Sequence, residues 1–556
     1  MSQLRIVGGS VYDPANDVDG DARDVCIEAG RIVADVPPSA QRLDARGMVV
    51  MPGGVDMHSH IAGGKVNAAR WLLPEDHARH NAVAPTLDDR ATIPRSGNDG
   101  SVPTTFTTGY RYAGLGYTTV FDASVAPLVA RSAHAQLGET PIVDSGFFAL
   151  LGNDDYLLRL IDAADRERAR EYAAWLLAAT GAYAIKIVNP AGIELWKRGA
   201  RERMELDQTL GGSRVTPRAI LETLADAANT LGLPHGVHIH CNNLGLPGNV
   251  ETTLASMSAL DGRRAHFTHL QFHSYGKTAT GGWRSAAREI IEYVNAHTTL
   301  TGDVGQVMFG ATTTLTADAP VEYLLHRSSG QKWLNIDVEL ETGCGVVPHE
   351  YRDRNAVAAL QWAIGLELFL LSSDTWRVVL STDHPNGGSF MSYPAIIRLL
   401  MDRAYRDEQI AHVERKLLAG SALADGLSRE YSLREIAIIT RAGPARLLGL
   451  VDKGHLGVGA DADVTVYMPD ADRAKMFSTP RYVVKGGTLV VEEGELRRAP
   501  VGRRLYVRPA FDTAITRDLE RYFDQYATVR FANYPVTGLP DDPLPVGSAM
   551  ASSGVR

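Results

Sequence analysis

Two hydrophobic rhythms organise the chain. Up to about residue 50, the runs LRIVGG, DVCIEAGRIV and GMVVM place apolar residues in short alternating stretches broken by glycine turns, the period-two pattern of β-strands. The same rhythm returns in LGVGADADVTV (456–466) and YVVKGGTLVV (482–491). The two ends of the chain are therefore predicted to build one small β-sandwich. Between them lie near-continuous apolar runs: GYTTVFDAS (116–124), PIVDSGFF (141–148), AYAIKIVNP (182–190), HGVHIHCNN (235–243), AHFTHLQFHS (265–274) and RVVLSTDHP (377–385). Helical patterns separate them. The clearest runs from Thr216 to Leu231, with Thr216 as N-cap, Pro217 in the first turn, an apolar face through Leu221, Leu224, Ala228 and Leu231, and Gly232 as the stop. Strand–helix alternation of this kind predicts a parallel sheet with helices outside it, an α/β fold.

This pattern divides the chain into a first part of the sandwich at 1–50, a barrel at 51–450, a second part of the sandwich at 451–502 and a C-terminal arm at 503–556. The arm, which includes RYFDQYATVRFANYPV, is expected to pack on this subunit or on a partner. Residues 62–112 form a polar insertion containing GNDGSVPTTFTT, read as a loop over the active site.

Composition narrows the class. With 45% hydrophobic and 22% charged residues the chain is a folded protein, and its formal charge of −9 without a long basic run argues against a nucleic-acid partner. Cys26, Cys241 and Cys344 are odd in number and far apart, which fits a reducing compartment rather than a disulfide framework. No signal peptide or membrane span is visible, since the most apolar helical stretch, 356–371, is short and interrupted by Gln361 and Glu367. A cytoplasmic location is expected.

The candidate chemistry starts at MVVMPGGVDMHSH (48–60), where an apolar run and a Pro-Gly turn lead into His58 and His60. On a strand, residues two apart share a face, so both imidazoles project together as half of a metal site. In a parallel barrel the catalytic groups sit at the carboxyl ends of the strands. Read that way, the further candidates are Lys186, His240, His269 and Asp383. His240 is nearer its strand end than His238, which shares its face. Lys186 lies inside the apolar run IKIV, where an ammonium is costly unless it is paired with a carboxylate or neutralised. Asp383 precedes His384-Pro385 and could equally cap a turn.

The order V-x-P-G-x-x-D-x-H-x-H, then Lys, His, His and Asp, resembles the amidohydrolase superfamily, and the Gly and Ala-Asp element within LGVGADADVTV (456–466) is similar to the one that closes its accessory domain. The resemblance implies a distorted (β/α)8 TIM barrel of amidohydrolase type with a small β-sandwich from both chain ends. It also implies that His58, His60, Lys186, His240, His269 and Asp383 hold two divalent metals, with Lys186 carbamylated by carbon dioxide and Asp383 exchanging a proton with the attacking water. His269 is preferred over His266 and His273 because it matches the family's sixth-strand histidine. Such ligands, lacking thiolate, suit zinc.

PGGVDMHSHIAGGKVNAAR, VHIHCNNLGLPGN, HLQFHSYG and STDHPNGG further resemble the A-type subunits of formylmethanofuran dehydrogenases and of bacterial formyltransferase/hydrolase complexes, over nearly the whole chain. This implies a complex subunit that cleaves the N-formyl group of a methanofuran-type carrier to formate and free amine, or runs the reverse condensation. Alanine- and arginine-rich segments such as AADRERAREYAAWLLAA suggest a bacterial coding bias and favour hydrolysis. A cyclic amidase of hydantoinase or dihydroorotase type, and a silent scaffold, are the competing readings. Asn189, Asn242, Asn243 and Tyr275 adjoin the ligand positions and are candidate pocket residues, with loop capping as the alternative for the asparagines.

Overall fold

The computed structural model describes residues 3–72, 100–199, 203–336 and 344–547, with a few positions between 74 and 98. Eight strands form one parallel sheet in chain order: β1 (Gly54–Ser59), β2 (Tyr117–Val125), β3 (Asp144–Leu150), β4 (Ala184–Val188), β5 (Val237–His240), β6 (Ala265–Phe267), β7 (Leu300–Asp303) and β8 (Val378–Val379). The sheet closes where Ser59 pairs with His384 and His60 N donates to His384 O at 2.8 Å. The result is a (β/α)8 barrel. Every residue of β1 to β6 is buried, because one face packs the barrel interior and the other meets helices. The helix foreseen after Thr216 spans Pro217–Thr230, and the Thr216 side chain accepts from Ala219 N.

Several expectations need correcting. The run AHFTHLQFHS is not one strand: β6 ends at Phe267, and Leu270–His273 is a 3₁₀ turn entered through His269 in the left-handed region. The last barrel strand is only two residues long, so Asp383 stands on the segment beyond it. Strand β7 was not foreseen, nor was the lobe after it, in which Gly310–Thr316, Leu334–Ile336 and Cys344–Tyr351 form an antiparallel sheet against the helix Ala319–Ser329. Its threonine-rich strands lack the apolar alternation that marks a strand in sequence. The insertion at 62–112 contains helices Gly64–Leu72 and Thr105–Gly114, so Thr105–Thr108 is helical, not loop. Much of the rest of that insertion lies outside the described residues.

The chain ends do combine, but in one continuous hydrogen-bonded ladder. Val464–Tyr467 pairs antiparallel with Val49–Pro52, joining the C-terminal strands to Gln3–Asp13 and its neighbours in a nine-stranded sheet. Val50, Ile6, Val464 and Val484 share its apolar cluster. Pro52-Gly53-Gly54 carries the chain from this sheet into β1. A Cβ at Gly53 would lie 2.3 Å from Thr118 Oγ1, and one at Gly54 2.6 Å from the Tyr117 ring, so the turn has no room for side chains. A buried ion cluster ties sheet to barrel: Lys453 Nζ meets Asp144, Asp461 and Asp463 at 2.6, 2.9 and 2.9 Å, and Lys485 meets Asp144 at 2.7 Å. The C-terminal arm packs on this chain. Leu505 N donates to Ser145 O in β3, Val507 N to Ala182 O just before β4, and Phe531 and Tyr534 stack near Trp175. No helix among the described residues is long and apolar enough to cross a membrane.

Candidate metal centre

Strands β1, β4 and β5 and the segments beyond β1, β6 and β8 deliver the predicted residues to one buried cluster at the carboxyl end of the barrel. His58 lies in β1 and His60 one residue beyond its end, with their rings 5.6 Å apart. Their Nε2 atoms lie 3.0 and 2.9 Å from the same oxygen, Oδ1 of Asp383. On the facing side His240 Nδ1 and His269 Nε2 are 3.1 Å apart. The His58 ring is 5.4 Å from that of His269, which brings the two groups together.

These spacings fit shared metal ions. Bonds of about 2.0–2.1 Å at the tetrahedral angle place neighbouring donor atoms about 3.3 Å apart. Proton placement agrees. His240 Nε2 lies 3.1 Å from Asp318 Oδ2 and His58 Nδ1 2.8 Å from Asp303 Oδ2; a proton on each of these outer nitrogens leaves the inner lone pair free. Without a metal the inner nitrogens face each other, or a carboxylate, with too few protons to serve both sides. The pKa shifts register this. Burial would lower His58, but Asp303 and Asp383 outweigh it and raise the imidazole to about 9. Burial would raise Asp383, yet His58 and His269 hold it well below the carboxylate range.

Lys186 projects from mid-β4 in register with His238, and its Nζ is 3.4 Å from Thr268 Oγ1. Burial brings its ammonium down to about 7 against the pull of Asp383 and Asp303. Neutral amine is thus accessible near neutral pH. His269, Asn189 and Asp383 all hold left-handed backbone, with φ of +35°, +40° and +50°. Such conformations are sparsely populated for these residues and concentrate where geometry serves a site.

Other candidates have different surroundings. Asn189 donates to Asp318 Oδ1 at 3.0 Å and accepts from Asn242 at 2.8 Å, so both asparagines join the network behind His240. Asn243 is occupied by Met204 N, Met204 O and Thr252, which makes it a loop brace. The Tyr275 hydroxyl accepts from Gln271, and its ring packs on Trp283, 5.0 Å away. His238 lies behind the site: His235 Nδ1 meets Leu447 O at 2.7 Å, His235 Nε2 meets His238 Nδ1 at 3.1 Å, and His238 Nε2 has no hydrogen-bond partner among the described residues. His266 is held by Asp303 and Thr301. His273 sits 5.1 Å from His269 and 5.4 Å from His240.

Asp303, Asp318 and Asp122 were missed from sequence. Asp303 accepts from His269 N as well as facing His58 and His266, and Asp122 accepts from Ile61 N and Ala62 N directly after the His-Ser-His segment. The available signal was an aspartate at the end of, or inside, an apolar run, as in TLTGDVG and TTVFDAS. Asp318 lies in the unforeseen lobe and carried no such mark.

The amidohydrolase family profile matches residues 41–491. The chain belongs to the amidohydrolase family. This amidohydrolase is 44% identical to Protein FwdA of Methanocaldococcus jannaschii over 554 residues, covering 96% of each chain. It is 41% identical to the A-type subunit of the formyltransferase/hydrolase complex Fhc of Methylorubrum extorquens, covering 97% of each. A crystal structure of that complex with methylofuran contains a chain that superposes with a TM-score of 0.92 at 39% identity, covering 98% of this amidohydrolase and all of that chain.

Proposed function

We propose that this amidohydrolase cleaves the N-formyl group of a methanofuran-type one-carbon carrier to formate and free amine. We place it in the cytoplasm, as part of a formyltransferase/hydrolase complex. The observation that carries the reading is the double convergence of donors: His58, His60 and Asp383 around one point, His240 and His269 around another, with Lys186 on the strand between. Near-full-length similarity to a protein solved in complex with methylofuran supports the choice of carrier.

In this reading His58, His60, His240, His269, Asp383 and a carbamate on Lys186 hold two divalent ions, with zinc suited to the donors. Bound there, the ions would acidify a water and polarise the formyl oxygen. The neutral Lys186 amine is the form that adds carbon dioxide, and the resulting anion relieves the cost of a buried cation. Asp383, kept ionised, orients the attacking water, takes one of its protons and passes it to the departing nitrogen as the formamide C–N bond breaks. Asn386 donates to Asp383 Oδ2 at 3.0 Å, which holds the carboxylate for that transfer. Asp303 and Asp318 orient His58 and His240, and Asn189 with Asn242 fixes Asp318. The same residues serve condensation of formate with the amine.

The test is formate release from formyl-methylofuran by the zinc-loaded chain, beside Asp383→Ala and beside hydantoin and dihydropyrimidine as rival substrates. Formate production that disappears in Asp383→Ala supports the reading. Turnover of the cyclic amides instead would replace it with a cyclic amidase, and no bound metal with no turnover would favour a scaffold.

A further inference from the structure

The lobe between β7 and β8 presents a second carboxyl that neither the metal centre nor the water-activating step uses. Glu322 is fully buried, and neither of its side-chain oxygens has a hydrogen-bond partner among the described residues. A native protein rarely buries an acid with nothing to bind. Its direction is set by the helix Ala319–Ser329. Glu322 N donates to Asp318 O at 3.4 Å, so the two residues are one turn apart on the same helix face. Asp318 on that face touches His240 and Asn189. Behind Glu322 runs the strand Cys344–Tyr351. A Cβ at Gly345 would lie 2.1 Å from the Glu322 Cβ, so glycine lets that strand pack directly against the residue. The same Cβ position is 3.3 Å from Trp333 Nε1, a buried donor also without a partner among the described residues.

The charged groups around it are Asp318, Asp383 and Lys65. Burial first, then the two aspartates, push the Glu322 carboxyl well above its ordinary range, and Lys65 opposes them. Glu322 on its own therefore keeps its proton, and an amine nitrogen placed beside it would draw that proton off to become an ammonium; in either form a carboxyl oxygen accepts from an N–H donor. In a formamide the oxygen is the acceptor and the nitrogen the donor, and after cleavage that nitrogen becomes an ammonium.

We propose that Glu322 is the residue that grips the nitrogen end of the substrate, accepting the formamide N–H and pairing with the ammonium of the free carrier. This rests on the formyl-carrier reading above and adds to it the group that orients the scissile bond, with the oxygen toward the metal centre and the nitrogen toward the lobe. Glu322 thereby separates recognition of the amine from recognition of formate.

The test is Glu322→Gln in the zinc-loaded full chain, with hydrolysis of formyl-methylofuran and product inhibition by methylofuran and by formate measured side by side. Glutamine cannot become a carboxylate beside the ammonium, so the change should weaken methylofuran inhibition about tenfold or more and lower kcat/KM, while formate inhibition stays within about twofold. Unchanged methylofuran inhibition, in a chain whose wild type hydrolyses the formyl carrier, overturns this inference and leaves the proposed function standing. A wild type that does not hydrolyse it overturns both. Should the glutamine chain not fold, Glu322→Asp decides by the same two constants: a selective loss for the amine supports the proposal, and an equal change for amine and formate refutes it.

Discussion

Asp303→Asn isolates the support behind the proposed metal ligands, because the substitution keeps size and removes charge. Asp303 lies at the carboxyl end of β7 and makes three polar contacts: Oδ2 is 2.8 Å from His58 Nδ1 and 3.1 Å from His266 Nε2, while Oδ1 accepts from His269 N at 2.8 Å. Burial would raise it, but the two histidines hold it ionised. Asparagine offers one acceptor oxygen. If that oxygen faces the imidazoles, the amide N–H₂ confronts the His269 N–H; if it faces His269, the N–H₂ confronts His58 and favours the tautomer whose lone pair points away from the centre. Either way one ligand is misoriented. Loss of such an outer partner lowers metal affinity about 10–100-fold, or about 1.4–2.7 kcal/mol. Competition with a chelator of known zinc affinity measures this directly, with circular dichroism to confirm an intact fold. An unchanged zinc affinity in the folded variant would refute the assignment of His58 as a ligand positioned by Asp303.

Three further outcomes follow from the same geometry. Elemental analysis of Lys186→Ala should fall from about two metals per chain to about one or fewer, with partial recovery of Lys186→Gly by short carboxylic acids in the medium; full retention of metal would exclude a bridging role. Lys453→Met leaves Asp144, Asp461 and Asp463 facing one another in the interior with Lys485 and the half-exposed Arg31 and Arg503 to balance them, so chemical denaturation should show a loss of about 3–5 kcal/mol. Burial brings His235 from 6.5 down to about 3. Below 6.5 the unfolded chain therefore binds a proton that the folded one refuses, and stability falls with acidification. From about pH 8 to about pH 5 this residue should account for about 2 kcal/mol of that fall, and His235→Gln should lose correspondingly less over the window.

The chain's local chemistry determined a good deal by itself. Alternation on β1 made His58 and His60 neighbours whatever the rest of the chain did. Thr216, Pro217 and Gly232 set the limits of their helix through their own backbone and capping preferences. Lys186 stood out because an ammonium inside IKIV has no local remedy. The order of the proposed ligands along the chain could be read because a parallel barrel sends every strand's carboxyl end to the same face.

Only tertiary structure decided which groups meet. His60 and Asp383 are 323 positions apart and touch because the barrel closes between β1 and the segment after β8. His266, His269 and His273 look alike in sequence, and the break in β6 at Phe267 is what turns His269 toward His240 while His266 faces Asp303. Asn243 and Asn189 are both polar residues after a strand, yet one braces Met204 and the other holds Asp318. Asp303, Asp318 and Glu322 were silent because a carboxyl gains its role from a partner brought by a distant segment. Periodicity along one strand or helix carries no information about that partner.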